Sequence, residues 1–228
     1  MSAGYARYGI YFVPQDTALA AFGARWLGWD ITSGAPARQY DLPELAQITT
    51  RPRTYGFHAT LKAPFRLVPG ADEAALRDTL EHVARRHGRI VTDGLELTTL
   101  GRFLALTLRG DVSAVQALAA DCVRAFDPFR APLTEAELDR RRGKGLPPYK
   151  AAMLEQWGYP HVMEAFRFHM TLTDRLPKAQ LPHWRAVLEN HLPQIGTGLT
   201  IDAITLVGER ADGRFETVHR APLVGLEP

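Results

Sequence analysis

The chain has 228 residues, with 46% hydrophobic and 23% charged side chains. That is an ordinary balance for a soluble globular protein, long enough for one large domain or two small lobes. The net charge of +2 and isoelectric point near 8.8 point weakly to anionic ligands and do not by themselves indicate nucleic acid.

Residues Arg7 to Val13 (RYGIYFV) are rich in β-branched and aromatic types and stop at Pro14, so they read as a first strand. No long apolar core or cleavage-like pattern marks a leader here, and no apolar run nears the roughly 18 residues of a membrane span. The expectation is a cytoplasmic enzyme or binding protein. From Asp16 to Trp29 the spacing of Leu19, Phe22, Trp26 and Leu27 predicts a helix, capped by Asp16 or Thr17. A polar loop follows, then a short helix or edge segment over Glu44–Thr49. Pro64–Pro69 reads as extended chain, and Asp72–His87 as an amphipathic helix burying Leu76, Leu80, Val83 and Ala84. Ile90–Leu100 and Arg102–Arg109 read as strands turning near Gly101, and Ser113–Phe126 as a second helix. This helix carries the single cysteine, Cys122, which excludes an internal disulfide and a cysteine zinc cluster; a buried, inert thiol is expected.

The stretch Asp127–Pro160 breaks the rhythm. Prolines and glycines punctuate it, short helices are expected around Glu135–Arg142 and Tyr149–Trp157, and Arg140, Arg141, Arg142 and Lys144 form a basic knot. It reads as an insertion, either a lid or a solvated helical hairpin with no part in chemistry. Leu181–Leu192 is then a helix, and Leu199–Val207 with Phe215–Val218 a last hairpin turning near Asp212-Gly213.

One short word occurs twice: YGFHATLK over Tyr55–Lys62 and FRFHMTLT over Phe166–Thr173. Both read aromatic-x-Phe-His-x-Thr-Leu. As strands, they would put Tyr55, Phe57, Ala59 and Leu61, or Phe166, Phe168, Met170 and Leu172, on an apolar face. The polar faces would carry His58, Thr60 and Lys62 in one copy, and Arg167, His169, Thr171 and Thr173 in the other. Such a groove suits a phosphodiester. Hydroxyls and cations hold the non-bridging oxygens, while one neutral and one protonated imidazole divide proton transfer without needing a metal. A lone His-x-Thr is weak evidence, since most strand histidines simply satisfy a hydrogen bond. The duplication with matched flanks is what makes the pair a candidate site.

At these residues the chain resembles the two-histidine (2H) phosphoesterase superfamily, whose hallmark is two His-x-Thr/Ser motifs on pseudo-symmetric halves. The strings YGFHATLKAPF and FRFHMTLT, together with RYGIYFVP, FGARWLGWD and WGYPHVMEAF, resemble a branch of bacterial proteins assigned to phosphonate metabolism. The resemblance extends over most of the chain. It implies an α+β fold, bilobal with a pseudo-twofold axis, in which two antiparallel sheets flank a central cleft with helices outside. It also implies metal-independent catalysis without a cofactor, His58 and His169 as the catalytic pair, and Thr60 and Thr171 on phosphate. The branch's context suggests a small phosphorylated sugar or nucleotide, specifically 5-phosphoribosyl 1,2-cyclic phosphate. Its second phosphate would need a cationic seat, for which the insertion offers Arg130, Arg141, Arg142, Lys144 and Lys150.

Other candidates are weaker. Lys62, Arg167 and Thr173 could contact substrate, and their mismatches suggest a substrate with unlike ends. Tyr11 could line the cleft or pack in the core. Tyr149, Gln156 and Tyr159 lie near the second motif and could touch a ligand. His161 lies eight residues before His169, but no His-x₃-His or HExxH pattern supports zinc, and no metal site is expected. His82, His87, His183, His191 and His219 read as surface residues. The chain has no GxxxxGK[ST], GxGxxG or nucleophile elbow. Two alternatives stay open: an RNA-end phosphodiesterase or ligase-like enzyme, which the modest charge does not favour, and a non-catalytic module for phosphorylated ligands. Oligomeric state is not readable.

Overall fold

The computed structural model describes residues 4–15, 17–143, 145–195 and 198–225. Strand β1 (Tyr8–Phe12) sends Tyr8, Ile10 and Phe12 into the main core and Tyr11 to the opposite face. Helix α1 (Ala18–Leu27) is capped by the Thr17 hydroxyl, which accepts from the Ala20 N–H, and ends at Gly28 with φ 79°. Asp16, the other cap candidate, lies outside the described residues. A small hairpin, β2 (Trp29–Asp30) with β3 (Ala35–Pro36), occupies the expected loop. Two short helices follow, α2 (Leu45–Ile48) and α3 (Thr50–Tyr55). The second was not expected from sequence. Its Pro52 is tolerated because it falls in the first turn, where no intrahelical N–H is needed.

Then come β4 (Ala59–Phe65), α4 (Glu73–Arg85), β5 (Ile90–Val91), β6 (Leu95–Leu100), β7 (Phe103–Leu108) and α5 (Ser113–Phe126). The insertion holds α6 (Glu135–Arg142) and α7 (Pro148–Trp157), close to the expected bounds, with a Thr134–Glu137 capping box starting α6. The chain closes with β8 (Met170–Thr171), α8 (Leu181–His191), β9 (Thr200–Ile201), β10 (Ala203–Glu209) and β11 (Phe215–Pro222).

Seven strands pair antiparallel in the order β11-β10-β1-β4-β8-β7-β6. The two expected antiparallel sheets are the two wings of this array. They meet at β4 and β8, where a single register pair, Ala59 opposite Met170, joins them. Each wing contains the same path of strand, helix and seam strand: β1, α1 and β4 in one, β7, α5 and β8 in the other. The wings are not successive halves of the chain, because β10 and β11, at its end, return to lie beside β1.

One face of the array carries the main core. Ile10, Ala59, Leu104, Leu106, Met170 and Leu172 are fully buried there against α1, α4, α5 and α8. The Trp26 indole N–H donates to the Leu172 carbonyl at 2.8 Å, tying α1 to the end of β8. Removing a side chain such as Met170 from this layer costs about 2–5 kcal/mol, because the cavity cannot fully collapse. Cys122 is fully buried, and burial pushes its thiol up to about 12, as expected for an inert residue. The opposite face carries a smaller cluster of Tyr11, Val13, Trp29, Ile31, Val207 and Phe215. No described helix is long and apolar enough to cross a membrane.

Candidate active site

The seam register determines which groups meet. With Ala59 opposite Met170 in antiparallel pairing, His58 falls opposite Thr171 and Thr60 opposite His169. Ala59 and Met170 point into the core, so all four polar side chains share the other face. The histidine of each word therefore lies across the seam from the threonine of the other. Two cavities bear this out. One, of about 230 Å³, is lined by His58 and Thr171. The other, of about 310 Å³, is lined by His169 and Thr60, and Phe103 borders both. The two histidines sit diagonally across the seam, a relation that in sheets spans about 7–8 Å.

Both imidazoles are anchored alike. His58 Nδ1–H donates to the Gly56 carbonyl at 2.9 Å, and His169 Nδ1–H to the Arg167 carbonyl at 2.8 Å. A carbonyl can only accept, so each ring carries its hydrogen on Nδ1 and turns Nε2 to the site. Gly56 and Arg167 occupy matching positions and supply the same backbone group. In the first word this needs a turn at φ 71° after α3. A side chain at position 56 would also meet Ile31, with Cβ atoms 2.6 Å apart, so only glycine fits.

The surroundings differ. The His58 ring stacks on fully buried Tyr11, centroids 3.7 Å apart and planes 17° apart. Its Nε2 accepts from the Thr60 hydroxyl at 3.0 Å. Burial, helped by the nearby charge of a protonated His169, pushes His58 down to about 4 against the pull of the Gly56 carbonyl. No ring stacks on His169 among the described residues; Phe103 lies 6.1 Å away and tilted, and the His169 Nε2 has no partner among them. Burial lowers it too, with the Arg167 guanidinium adding to the effect and the Arg167 carbonyl opposing it.

The other expected residues divide. Tyr11 is the platform beneath His58, and its hydroxyl is buried without a partner among the described residues. Arg167 and Tyr159 line the His169 cavity. Thr173 borders the His58 cavity, but its hydroxyl accepts from the Leu104 N–H and donates to the Asp174 carbonyl, so it is committed to the backbone. Lys62 does not face the groove. Its partner in β1 is Ile10, whereas Thr60 pairs with the adjacent Tyr11, so β4 has one residue more than β1 between these pairs. That bulge ends the simple alternation and turns Lys62 to the helix side. The ammonium is 3.1 Å from the Val123 carbonyl and 3.3 Å from Asp127, and burial lowers it to about 8 against the pull of Asp127.

The insertion's cations are also mostly occupied. Arg130 is bound to Asp127 at 2.8 Å, and Arg142 lies on the surface near Asp139. Arg141 donates to the Gly158 carbonyl and lies over the Tyr159 ring, in a neighbouring enclosed space with room for about one water. Lys150 lies outside both seam cavities but near enough to His161 for its charge to be felt there. Lys144 falls outside the described residues.

Sequence reasoning missed Phe103, Tyr55 and His161. Tyr55 was assigned to the apolar strand face, but it ends α3 and packs on Phe215 beside His58. Phe103 comes from β7, and no motif marks it. His161 was considered only as a metal ligand. Among the described residues no group of three or more His, Cys, Asp or Glu is placed to hold a metal.

Fold and site together define a class: an α+β protein with paired His-x-Thr strands at the junction of two antiparallel wings. Residues 60–216 match the family model described as "Protein of unknown function (DUF1045)", and the chain belongs to that family. It is 39% identical over 236 residues to a protein of Janthinobacterium sp. (strain Marseille) named ribose 1,5-bisphosphate phosphokinase PhnN, covering 98% of this chain and 52% of that protein. It is 36% identical over 191 residues to the protein of the same name from Laribacter hongkongensis (strain HLHK9), covering 81% and 44%. The chain thus spans about half the length of the curated relatives it matches. The crystal structure of E. coli LigT complexed with 3′-AMP aligns with a TM-score of 0.49 at 15% identity, over 96% of this chain and 98% of that one.

Proposed function

We propose that this protein is a phosphodiesterase that opens a small cyclic phosphodiester by two-histidine acid–base catalysis, without a metal. The observation that carries the reading is the seam register, with one imidazole and one threonine lining each of the two cavities that Phe103 borders. His58 is the base: burial keeps it neutral, and its Nε2 takes the proton of the attacking water as the water oxygen bonds to phosphorus. The ring P–O bond breaks, and protonated His169 gives its Nε2 proton to the departing oxygen. The anionic substrate favours that proton by charge attraction. Thr60 and Thr171 donate to the non-bridging oxygens, and the Thr60 hydroxyl leaves His58 Nε2 to do so. The product is a phosphate monoester and a free hydroxyl.

The proposed substrate is 5-phosphoribosyl 1,2-cyclic phosphate. Cleaving its bond to the ribose O2 yields ribose 1,5-bisphosphate, the compound in the name of the curated relatives. Phosphokinase activity is not proposed for this chain, which has no GxxxxGK[ST] loop. It is assigned to the half of those proteins that this chain does not span.

The test is a panel of cyclic phosphates in EDTA, including 5-phosphoribosyl 1,2-cyclic phosphate and nucleoside 2′,3′-cyclic phosphates, with products followed by phosphorus NMR. Turnover of the ribosyl compound is expected. Activity that EDTA removes and zinc restores would refute the metal-free chemistry. Binding without turnover of any member would leave a ligand-holding module instead.

A further inference from the structure

The two cavities differ in the charges that line them. On the His169 side, the Tyr159 hydroxyl, the His161 ring and the Arg167 guanidinium make no hydrogen bond among the described residues, yet all three border one space of about 310 Å³. No carboxylate lines it. Its size is at the lower end of small-molecule sites, about 300–1,000 Å³. The Tyr159 ring meets His161 edge-on, centroids 5.6 Å apart, and is backed by the Arg141 guanidinium 5.4 Å from its centroid. Arg141 is therefore a positioning residue. On the His58 side Pro52, Tyr55 and Phe103 contribute rings and Arg51 and Arg175 contribute guanidiniums, but Asp174, a carboxylate that opposes an anion, stands among them. Position 50, which matches His161 in spacing to its motif, is a threonine bonded to helix carbonyls.

We propose that the His169 cavity is a seat for a second anionic group of the substrate, with His161, Arg167 and the Tyr159 hydroxyl as its donors. The substrate is then a phosphodiester carrying a separate phosphate on that side only, and the seat determines which way round it lies. This rests on the phosphodiesterase reading above. A phosphate there gains charge-assisted hydrogen bonds from groups that now have none. It also relieves His161, whose protonation is disfavoured by burial and then by the charges of Lys150 and His169.

The experiment compares kcat/KM for ribosyl 1,2-cyclic phosphate with and without its 5-phosphate, in the parent, H161Q, R167Q and R175Q, the last altering the opposite cavity. The preference for the phosphorylated substrate should fall about ten- to a hundredfold in H161Q and in R167Q, mainly through KM, which is the range for losing a hydrogen bond to a charged group. It should fall less in R175Q. An unchanged preference in H161Q and R167Q, or a larger fall in R175Q, overturns the proposal. Ribose 5-phosphate titrated calorimetrically into the same proteins separates this seat from the hydrolysis. If no cyclic phosphate is turned over, the phosphodiesterase reading has failed, and weaker binding in H161Q and R167Q still upholds the seat. A parent protein that does not bind ribose 5-phosphate overturns it.

Discussion

The two His-x-Thr words hold their imidazoles with the same bond and put them in opposite surroundings. His58 is stacked, bonded at both nitrogens and pushed down to about 4; His169 is bonded once and open at Nε2. A backbone carbonyl two residues back is available to any sequence that turns correctly, so the shared anchor survives a change from Gly56 to Arg167. The differences come from neighbours that neither word contains: Tyr11 from β1 on one side, Tyr159 and His161 from the insertion's end on the other. In the proposed mechanism a symmetric motif thus becomes a base and an acid.

The largest test of this contrast is His58→Ala against His169→Ala. Each should lower kcat by about 10²–10⁴-fold while substrate still binds, and H58A should remove the acidic limb of the kcat/KM profile and H169A the alkaline limb. Full activity in either variant would refute the division of roles. Next in size is Gly56→Ala against Arg167→Ala. The first forces a side chain into Ile31 at positive φ and should cost about 1–3 kcal/mol in urea denaturation, with kcat falling as the carbonyl shifts. The second keeps its carbonyl, so its stability change should stay within about 0.5 kcal/mol. Equal losses would mean that the anchors are not alike.

A smaller effect separates the imidazoles by pH. Unfolded His58 takes a proton near 6.5, but in the fold it resists one down to about 4. Between those values the unfolded chain binds more protons, so stability falls as pH drops through the window. Roughly 2 kcal/mol should be lost to this residue between pH 7 and pH 5. Replacing His58 with Gln should flatten the slope, and an unchanged slope would show that the ring is not enclosed. Least affected should be Lys62→Met. Asp127 keeps Arg130, so removing the buried ammonium should change stability by about 1 kcal/mol or less at pH 7 and leave kcat/KM near the parent's. A large loss of activity with stability retained would return Lys62 to the site.

Much of the site was legible because a repeated word is a local pattern. Alternation placed His58 and Thr60 together, as it did His169 and Thr171, and the seam confirms those faces. The reading went wrong at the edges of the word. Tyr55 belongs to a helix that Pro52 does not prevent, and Lys62 turns away at a bulge whose existence depends on how β4 pairs with β1. Neither can be seen in eight residues. The insertion's helices were legible between their punctuating prolines and glycines, but the destination of their charges was not. Arg130 is taken by Asp127, while an uncharged tyrosine and an overlooked histidine reach the cavity.

By itself the sequence determined the apolar and polar faces of the central strands and the four groups at the seam, whereas the α+β class followed from the family resemblance. Side-chain period and residue chemistry act within a few residues, so one chain suffices to read them. Only the tertiary structure decided the register that sets each histidine across the seam from the other word's threonine, the enclosure that separates His58 from His169, and the burial of Lys62. Those depend on register and on desolvation by strands and helices distant in sequence, and no local pattern encodes them.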